Sequence, residues 1–407
     1  MAMKSNDNAG SGPGQLMAAA LLLTTGTLAG VAASQSEVVR FVVITMLYAS
    51  AFILAIVSLR FRNLRLVALF GAVLFVIPVV VLCVLSPLRG SEIVGLPDTD
   101  RLNYFYAYQS LDLQSVSEVM EGGFVLIVAL LRDWVPFPVF LVAIALLFVV
   151  AVLRFMFATG AKELAPIMVL VLIAYFPFWG GALNVTRQFL AGSLIIFALS
   201  FLLGEKQRWI AAITLIVAAI LIHTSAFVFA ALPALFLFKR KSVAIKLLWV
   251  SNATFFALSI IGVSPIMMLS SVFAKISTYS DIGSDSMYDA VLKTKNRLDF
   301  ATFIAAPMLL YVYIRVQKSK RDFKILDQFA LLYSLSCMPY FWLSFLFHSD
   351  RLAYFAFIFA PMFLIYQAGY LRTGWQRWGV PIGIAVLCVA HFSVGLYGYT
   401  PKELFLG

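Results

Sequence analysis

The polar residues that could do chemistry stand out because their surroundings are strongly apolar. Arginines recognise phosphate oxygens in pairs, and a neutral imidazole can accept a proton at physiological pH. These residue types therefore indicate anion binding combined with proton transfer. They fall into four groups and one smaller pair, which are Asp98, Asp100, Arg101, Tyr104 and Tyr108 with Glu121; Asn184, Arg187 and Gln188; His223, Thr224 and Ser225; His348, Asp350, Arg351 and Tyr354; and Arg297 with Asp299.

Arg187 is the strongest candidate for anion binding. It opens an apolar run, and a positive charge at a helix N-terminus opposes the helix dipole, so it is not there to stabilise the helix. Together with the positive helix end it forms an anion site. The alternative is a side chain that anchors the helix by reaching to the membrane surface. Arg187, Arg297 and Arg351, all near one leaflet, suit a lipid that carries a diphosphate.

His223 interrupts the apolar stretch 209–238. A histidine inside such a stretch is costly and usually faces a cavity, and the alternative is a hydrogen-bonded core histidine. Tyr104 and Tyr108 are spaced for one helical face, and their alternative is a loop at headgroup level. Asp350 and Arg351 have the alternative of a surface ion pair that contributes little.

The composition indicates a membrane protein. Of the 407 residues 62% are hydrophobic and 12% are charged, whereas soluble domains carry roughly 25% charge. The net charge of +11 does not indicate nucleic acid, because Lys and Arg cluster between apolar runs, where orientation signals belong. The sequence has no HExxH, paired CxxC, GxSxG or Walker loop, and Cys83, Cys337 and Cys388 lie inside apolar runs. No metal or cofactor is predicted.

The elements that must position these residues are transmembrane helices. A span needs roughly 20 apolar residues, and we expect an all-α bundle of about 12–14 segments. Residues 1–15 are expected to form a disordered cytoplasmic tail, and 16–407 a single membrane domain with outer loops 86–135 and 263–297. The segment Phe124–Leu131 is too short to span and predicts an interfacial helix. The expected segments are 16–33, 38–59, 66–85, 136–157, 164–182, 187–204, 209–222, 224–238, 243–262, 298–316, 325–346, 352–370 and 378–397.

The basic clusters predict the orientation. Short cytoplasmic loops collect Lys and Arg, so the N-terminus is expected inside and the C-terminus outside. As one helix, 209–238 would cover about 45 Å, more than a membrane core of roughly 30 Å, and we expect a hairpin bent near His223 and Thr224. All the polar groups then lie at the outer face. The basic clusters are Arg60, Arg62 and Arg65; Lys206 and Arg208; Lys239, Arg240 and Lys241; Arg315, Lys318, Lys320, Arg321 and Lys324; and Arg372 and Arg377.

Three sequence elements resemble one family. The first is Asn184-Val-Thr-Arg187-Gln188-Phe-Leu-Ala191, followed by a span, a basic turn, an apolar arm and His223-Thr-Ser225-Ala226. It resembles the EpsG family of Wzy-type polysaccharide polymerases. Asp98…Tyr104…Tyr108 with Glu121-Gly-Gly-Phe124 is similar to the first outer loop of that family. Asp350-Arg351-x-x-Tyr354 is similar to its late Arg–Tyr element, and the likeness covers roughly residues 95–370.

The resemblance implies a glycosyltransferase of the lipid-dependent, GT-C-like kind in the bacterial inner membrane. It would join repeat units carried on undecaprenyl diphosphate into an exopolysaccharide, capsule or O-antigen on the periplasmic side, with a chain-length-regulating membrane protein as a further partner and no nucleic acid. Arg187 and Arg351, with Arg297 as a further candidate, would hold the diphosphate. His223 would activate or position the acceptor. The substrate-binding candidates are Asp98, Asp100, Arg101, Tyr104, Tyr108, Glu121, Asn184, Gln188, Ser225, Asp350 and Tyr354.

Two alternatives remain open. One is a close relative, an O-antigen ligase or another lipid-linked glycosyltransferase. The other is a flippase or ion-coupled transporter, which usually needs ionisable residues near the bilayer midplane. Nearly all charges here lie at the ends of spans, which favours chemistry at the membrane surface.

Overall fold

The computed structural model describes residues 37–85, 100–109, 120–204, 207–238, 240–261, 298–317, 323–344 and 352–371, with 379 and 382–383. Throughout these residues the elements are helices, and they include no strand, so the all-helical prediction is confirmed. Lipid offers no partner for backbone polar groups, and a helix satisfies them internally. The predicted tail 1–15, the segment 16–33, the loop 263–297 and most of 378–397 lie outside the described residues.

The helices in chain order are α1 (Glu37–Arg60), α2 (Arg65–Leu85), α3 (Asp100–Gln109), α4 (Gly122–Leu131), α5 (Phe137–Ala158), α6 (Ala165–Ala174), α7 (Phe176–Leu183), α8 (Thr186–Leu203), α9 (Trp209–Ile222), α10 (Leu232–Leu237), α11 (Lys241–Ile260), α12 (Leu298–Val316), α13 (Lys324–Leu343) and α14 (Tyr354–Ala368). Short 3₁₀ helices run over Arg62–Leu64, Lys162–Leu164 and Thr224–Ala231. These boundaries lie close to most of the predicted segments, because the apolar runs that predict membrane spans are also the runs that form helices.

Several of these helices can cross a membrane. By length and composition four in the described part qualify, or five if the bent pair Lys162–Ala174 and Pro177–Leu183 is one span. Further apolar helices of 10–17 residues accompany them. The chain is therefore a helical membrane protein. The four helices are Arg62–Val81, Phe137–Ala158, Thr186–Leu203 and Lys241–Ile260.

The segment predicted over 164–182 is two helices rather than one. Tyr175 has extended backbone (φ −96°, ψ 115°) between α6 and α7, and Pro177 lies at the start of α7. Proline has no N–H to give to the carbonyl of Ile173, four residues earlier. The indole Nε1 of Trp179 donates to that oxygen instead, at 2.8 Å. A buried side chain therefore replaces the missing backbone donor at the break. Composition alone does not indicate this hydrogen bond.

The described helices cluster into two compact units. The first contains α1–α3 and α5–α7; α2 packs against α1, α5 and α6, and every residue of α6 is buried. Arg65 and Glu163, 3.2 Å apart, form an ion pair between the start of α2 and the 3₁₀ turn before α6. The second unit contains α4 and α8–α14 and is built around α8, of which 78% is buried.

Polar contacts inside the second unit join its helices. Trp249 of α11 donates to Ser334 of α13 at 2.8 Å, and Gln367 of α14 donates to the carbonyl of Pro307 in α12 at 3.0 Å. Hydrogen bonds of this kind fix the register between apolar helices. Apolar side chains alone do not fix it, because lipid tails solvate them as well as a neighbouring helix does.

Candidate active site

Helices α8 and α9 form an antiparallel pair that defines the two ends of the second unit. They pack along their length, and the turn between them closes with a hydrogen bond of 3.1 Å from the Arg208 N–H to the Phe201 carbonyl. Arg187 and His223 therefore lie at the end opposite to this basic turn. The 18 residues of α8 span about 27 Å.

A close helix contact brings α4 to the same end. A Cβ atom on Gly123 would lie 2.6 Å from the carbonyl oxygen of Leu221 in α9. Only glycine permits this approach, because the opposing atom belongs to the backbone and cannot turn away. The contact places Glu121, which precedes α4, beside the first turn of α8 and the last residue of α9. Gly122 has no atom within 4 Å of the equivalent position.

The Glu121 carboxylate joins three segments. One oxygen, Oε2, pairs with Nη1 of Arg187, and the side chains of both residues are largely buried, with exposures of 12% and 18%. The other oxygen, Oε1, accepts from the backbone N–H of Thr224 at 3.3 Å and from its hydroxyl at 3.2 Å. One side chain thus holds the start of α4, the start of α8 and the start of Thr224–Ala231 together.

Three helix N-termini consequently meet at one point, and each contributes partial positive charge. Burial alone would raise the pKa of the Glu121 carboxyl, but the charge of Arg187, the electrostatic interaction with His223 and the hydrogen bonds from the backbone outweigh it and lower that pKa. The carboxylate stays ionised and offsets the cost of a positive side chain at the start of α8. The arrangement is a cluster of positive helix ends and one arginine, to which Glu121 supplies one negative charge.

The predicted break at His223 is present, and its geometry is a helix cap. His223 is extended (φ −151°, ψ 117°), and its N–H donates to the carbonyl of Ala219, ending α9. Its Nδ1 accepts from the Ser225 N–H at 3.2 Å and lies 2.6 Å from the Ser225 hydroxyl oxygen. Gln188, buried one residue after Arg187, donates to the same hydroxyl at 3.4 Å. The two halves of the Arg-Gln…His-x-Ser motif are therefore in contact.

Tyr354 begins α14 in the same unit and is buried. Helix α14 packs against α8, where a Cβ on Gly192 would meet the Ile358 side chain at 2.6 Å. It also packs on Thr224–Ala231 through Phe229 and Phe355, whose rings meet edge to face at 5.2 Å. The start of α14 thus lies against two of the elements that carry the cluster.

Other candidates belong to the first unit. In the first unit Tyr104 and Tyr108 are buried on one face of α3, as their spacing predicts, and the Tyr108 hydroxyl donates to the Val135 carbonyl at 2.6 Å. Burial, and then the charge of Asp133, raise the pKa of that hydroxyl, which keeps it a donor. Asn184 follows the end of α7, and its N–H donates to the Gly180 carbonyl at 2.9 Å. Asp100 and Arg101 begin α3. Outside the described residues lie Asp98, Arg297, His348, Asp350 and Arg351.

Two features of the site do not follow from the sequence pattern. They are the hydrogen bonds that Thr224 donates to Glu121 and the close approach of Gly123 to Leu221. For Thr224 the sequence offers one signal, because Thr at a helix start often takes part in capping. Within the described residues no group of three or more His, Cys, Asp or Glu side chains is placed to hold a metal ion.

The protein is thus a helical membrane protein with a charged, hydrogen-bonded cluster at the point where three helices begin. The EpsG family model matches residues 72–401. The chain belongs to this family, which comprises Wzy-like polysaccharide polymerases and glycosyltransferases, and the resemblance seen in the sequence is confirmed. Comparison with curated proteins and with solved structures gave no match.

Proposed function

We propose that this polymerase-like membrane protein is a Wzy-type enzyme that joins repeat units carried on undecaprenyl diphosphate, at the outer leaflet of the bacterial inner membrane. In this reaction a hydroxyl of the acceptor sugar attacks the anomeric carbon of the donor. The glycosidic bond forms, the bond to the diphosphate breaks, and undecaprenyl diphosphate leaves with the electron pair. The catalyst must therefore stabilise negative charge that develops on the leaving diphosphate.

The observation that carries this proposal is the cluster of Glu121, Arg187, Thr224 and His223. Helix N-termini and an arginine at one point favour an anion. Arg187 is the proposed diphosphate ligand, oriented by its pairing with Glu121, and Arg351 and Arg297 are proposed to complete the diphosphate site. Mutagenesis of single donors to a developing oxyanion costs about 10²- to 10³-fold in rate, which sets the scale expected for Arg187.

The acceptor side is proposed to use His223, which activates or positions the attacking hydroxyl, and the carboxylates Asp98, Asp100 and Glu121, which contact the acceptor sugar. Glu121 would then have two roles, because its carboxylate already pairs with Arg187. Further residues proposed to bind the substrate are Arg101, Tyr104, Tyr108, Asn184, Gln188, Ser225, Asp350 and Tyr354. A membrane protein that sets chain length is the proposed partner.

Deletion of the gene in its native host, followed by gel analysis of the glycan, tests the reaction. A polymerase deletion leaves glycan with a single repeat unit on lipid or at the cell surface. If long polymer accumulates on the lipid carrier and is not passed on, the protein is a ligase. Repeat units that stay on the cytoplasmic side indicate a flippase. The matched control is complementation with the unaltered gene, which must restore the full length distribution.

A further inference from the structure

The His223-Thr224-Ser225 turn fixes which nitrogen of the imidazole carries the hydrogen. A backbone N–H can only donate, and the Ser225 N–H donates to Nδ1 of His223 at 3.2 Å. Nδ1 must therefore present its lone pair. A neutral imidazole has one N–H, so that hydrogen is on Nε2.

The Ser225 hydroxyl reinforces the same state. Its oxygen accepts from the Gln188 amide at 3.4 Å, and its own hydrogen is then available for Nδ1 at 2.6 Å. The hydrogen-bond donors in this chain therefore follow one order, in which Gln188 of α8 donates to Ser225 and Ser225 donates to His223. Charged side chains at this turn, among the residues that the structure describes, include Glu121, which interacts electrostatically with His223, and Arg187, which pairs with Glu121.

We propose that Ser225 is a positioning residue that holds His223 in the Nε2–H form, so that His223 acts as a hydrogen-bond donor to a diphosphate oxygen and not as a proton acceptor. The assignment of a target oxygen rests on the proposed function. The tautomer itself does not, because it follows from contacts within the chain. This role would replace the action of His223 on the acceptor hydroxyl, because the lone pair that a general base would need is the one engaged by Ser225.

The first experiment measures the tautomer directly in the full-length protein in detergent, without substrate. The chain has three histidines, so ¹⁵N-histidine labelling gives few signals, and the His223 pair is assigned by its loss in His223→Gln. The expected shifts are those of a protonated Nε2 and an unprotonated Nδ1. In Ser225→Ala, which keeps the backbone N–H and removes the hydroxyl, the Nε2–H form should remain the major one while the Nδ1–H form gains population. A wild-type ring protonated at Nδ1 overturns the proposal, and a population unaltered by Ser225→Ala removes the Ser225 hydroxyl from it.

The second experiment separates the cap from the donor by polymer synthesis. His223→Asn keeps an acceptor near the position of Nδ1 and provides a good cap, whereas His223→Gln provides an N–H near the position of Nε2. If the group at position 223 donates a hydrogen bond to the charged diphosphate, His223→Gln should retain roughly 10- to 10²-fold more activity than His223→Asn. Thermal stability should show the opposite order. If His223→Asn is the more active variant, the donor role is wrong. Lack of polymer in every variant and in wild type would instead count against the proposed function, while the labelling result would still stand.

Discussion

Arg187 occupies the second residue of α8, where its charge opposes the helix dipole. Glu121 offsets that cost from the neighbouring helix start. An ion pair this deeply buried is expensive to desolvate, and removing one partner leaves an uncompensated charge. The pair is therefore informative about function, since an apolar pair would pack the three helix starts with less desolvation.

Replacement of Arg187 is the first prediction. Arg187→Ala should lower polymer synthesis by about 10²- to 10³-fold if its guanidinium stabilises the leaving diphosphate. Arg187→Lys should recover little, because a compact ammonium lacks the planar fork that grips two oxygens. The measurement is glycan length on gels, normalised to the amount of protein in the membrane.

The matched control is Arg208→Ala, the same change at the other end of the α8–α9 pair. Arg208 lies over the Phe201 ring at 6.0 Å, away from the cluster. It should keep normal polymer length. Full-length polymer in both Arg187 variants would remove this residue from the mechanism.

The lowered pKa of Glu121 gives the second prediction. A carboxyl whose pKa is lower in the folded state adds stability above its unfolded pKa, ordinarily about 4.3, and loses it as the pH falls through the folded value. The thermal stability of wild type should therefore exceed that of Glu121→Gln at neutral pH. The difference should shrink as the pH is taken below the ordinary carboxyl range. A difference that is constant from neutral to acid pH would mean that the charge of Glu121 does not contribute.

At the scale of the helices, the sequence predicted most of the spans in the described residues and one of the two helix breaks discussed above. His223 and Thr224 reveal the break after α9 because polar residues interrupt an apolar run. The break at Tyr175 was missed because its surroundings are uniformly apolar, and only Pro177 marks it. The carbonyl oxygen of Ile173, left without its helical donor at this break, accepts a hydrogen bond from the Trp179 indole. The hydrophobic periodicity of a sequence does not reveal such a contact.

The site was predictable residue by residue but not as a set of contacts. Arg187, His223 and Glu121 were each singled out by type and place. The pairing of Arg187 with Glu121 crosses 66 residues, and apolar helices can pack in many registers with the same composition. What selects this register is a backbone contact at Gly123, and one sequence cannot reveal which glycine makes it.

Gly123→Ala is the third prediction. The added Cβ would lie 2.6 Å from the Leu221 carbonyl oxygen, so α4 must move away from α9, and overpacking of this kind costs about 1–3 kcal/mol. Because Glu121 precedes α4, the shift should also weaken its pairing with Arg187. We expect lower thermal stability and reduced polymer synthesis together.

Gly122→Ala is the control for that change, since it makes the same substitution one residue earlier. No atom lies within 4 Å of its Cβ position, and alanine favours a helix over glycine by up to about 1 kcal/mol. It should be neutral or slightly stabilising. Equal losses in the two variants would mean that the approach of α4 to α9 does not position the site.

At the scale of the molecule, the α8–α9 pair relates the cluster to the membrane. Helix α8 spans about 27 Å, close to a hydrocarbon core of roughly 30 Å. If it crosses the membrane, the cluster and the basic turn lie at opposite faces. The clustering of Lys and Arg predicts that 205–208, 239–242 and 317–323 are cytoplasmic, with the N-terminus, and that 86–135, 263–297 and 398–407 are outside.

Single cysteines at the two ends of this pair test the orientation. On a background in which Cys83, Cys337 and Cys388 are replaced by alanine, Gly122→Cys reports the cluster end and Gln207→Cys the basic turn; both positions are exposed. A membrane-impermeant thiol reagent added to intact spheroplasts should label Gly122→Cys, while Gln207→Cys should react only after the membrane is opened. The reverse pattern would place the cluster in the cytoplasm, where undecaprenyl-linked units are not polymerised in the proposed reaction. Labelling of both from outside would mean that α8 and α9 do not cross the membrane, and the positive clusters would then have lost their meaning as orientation signals.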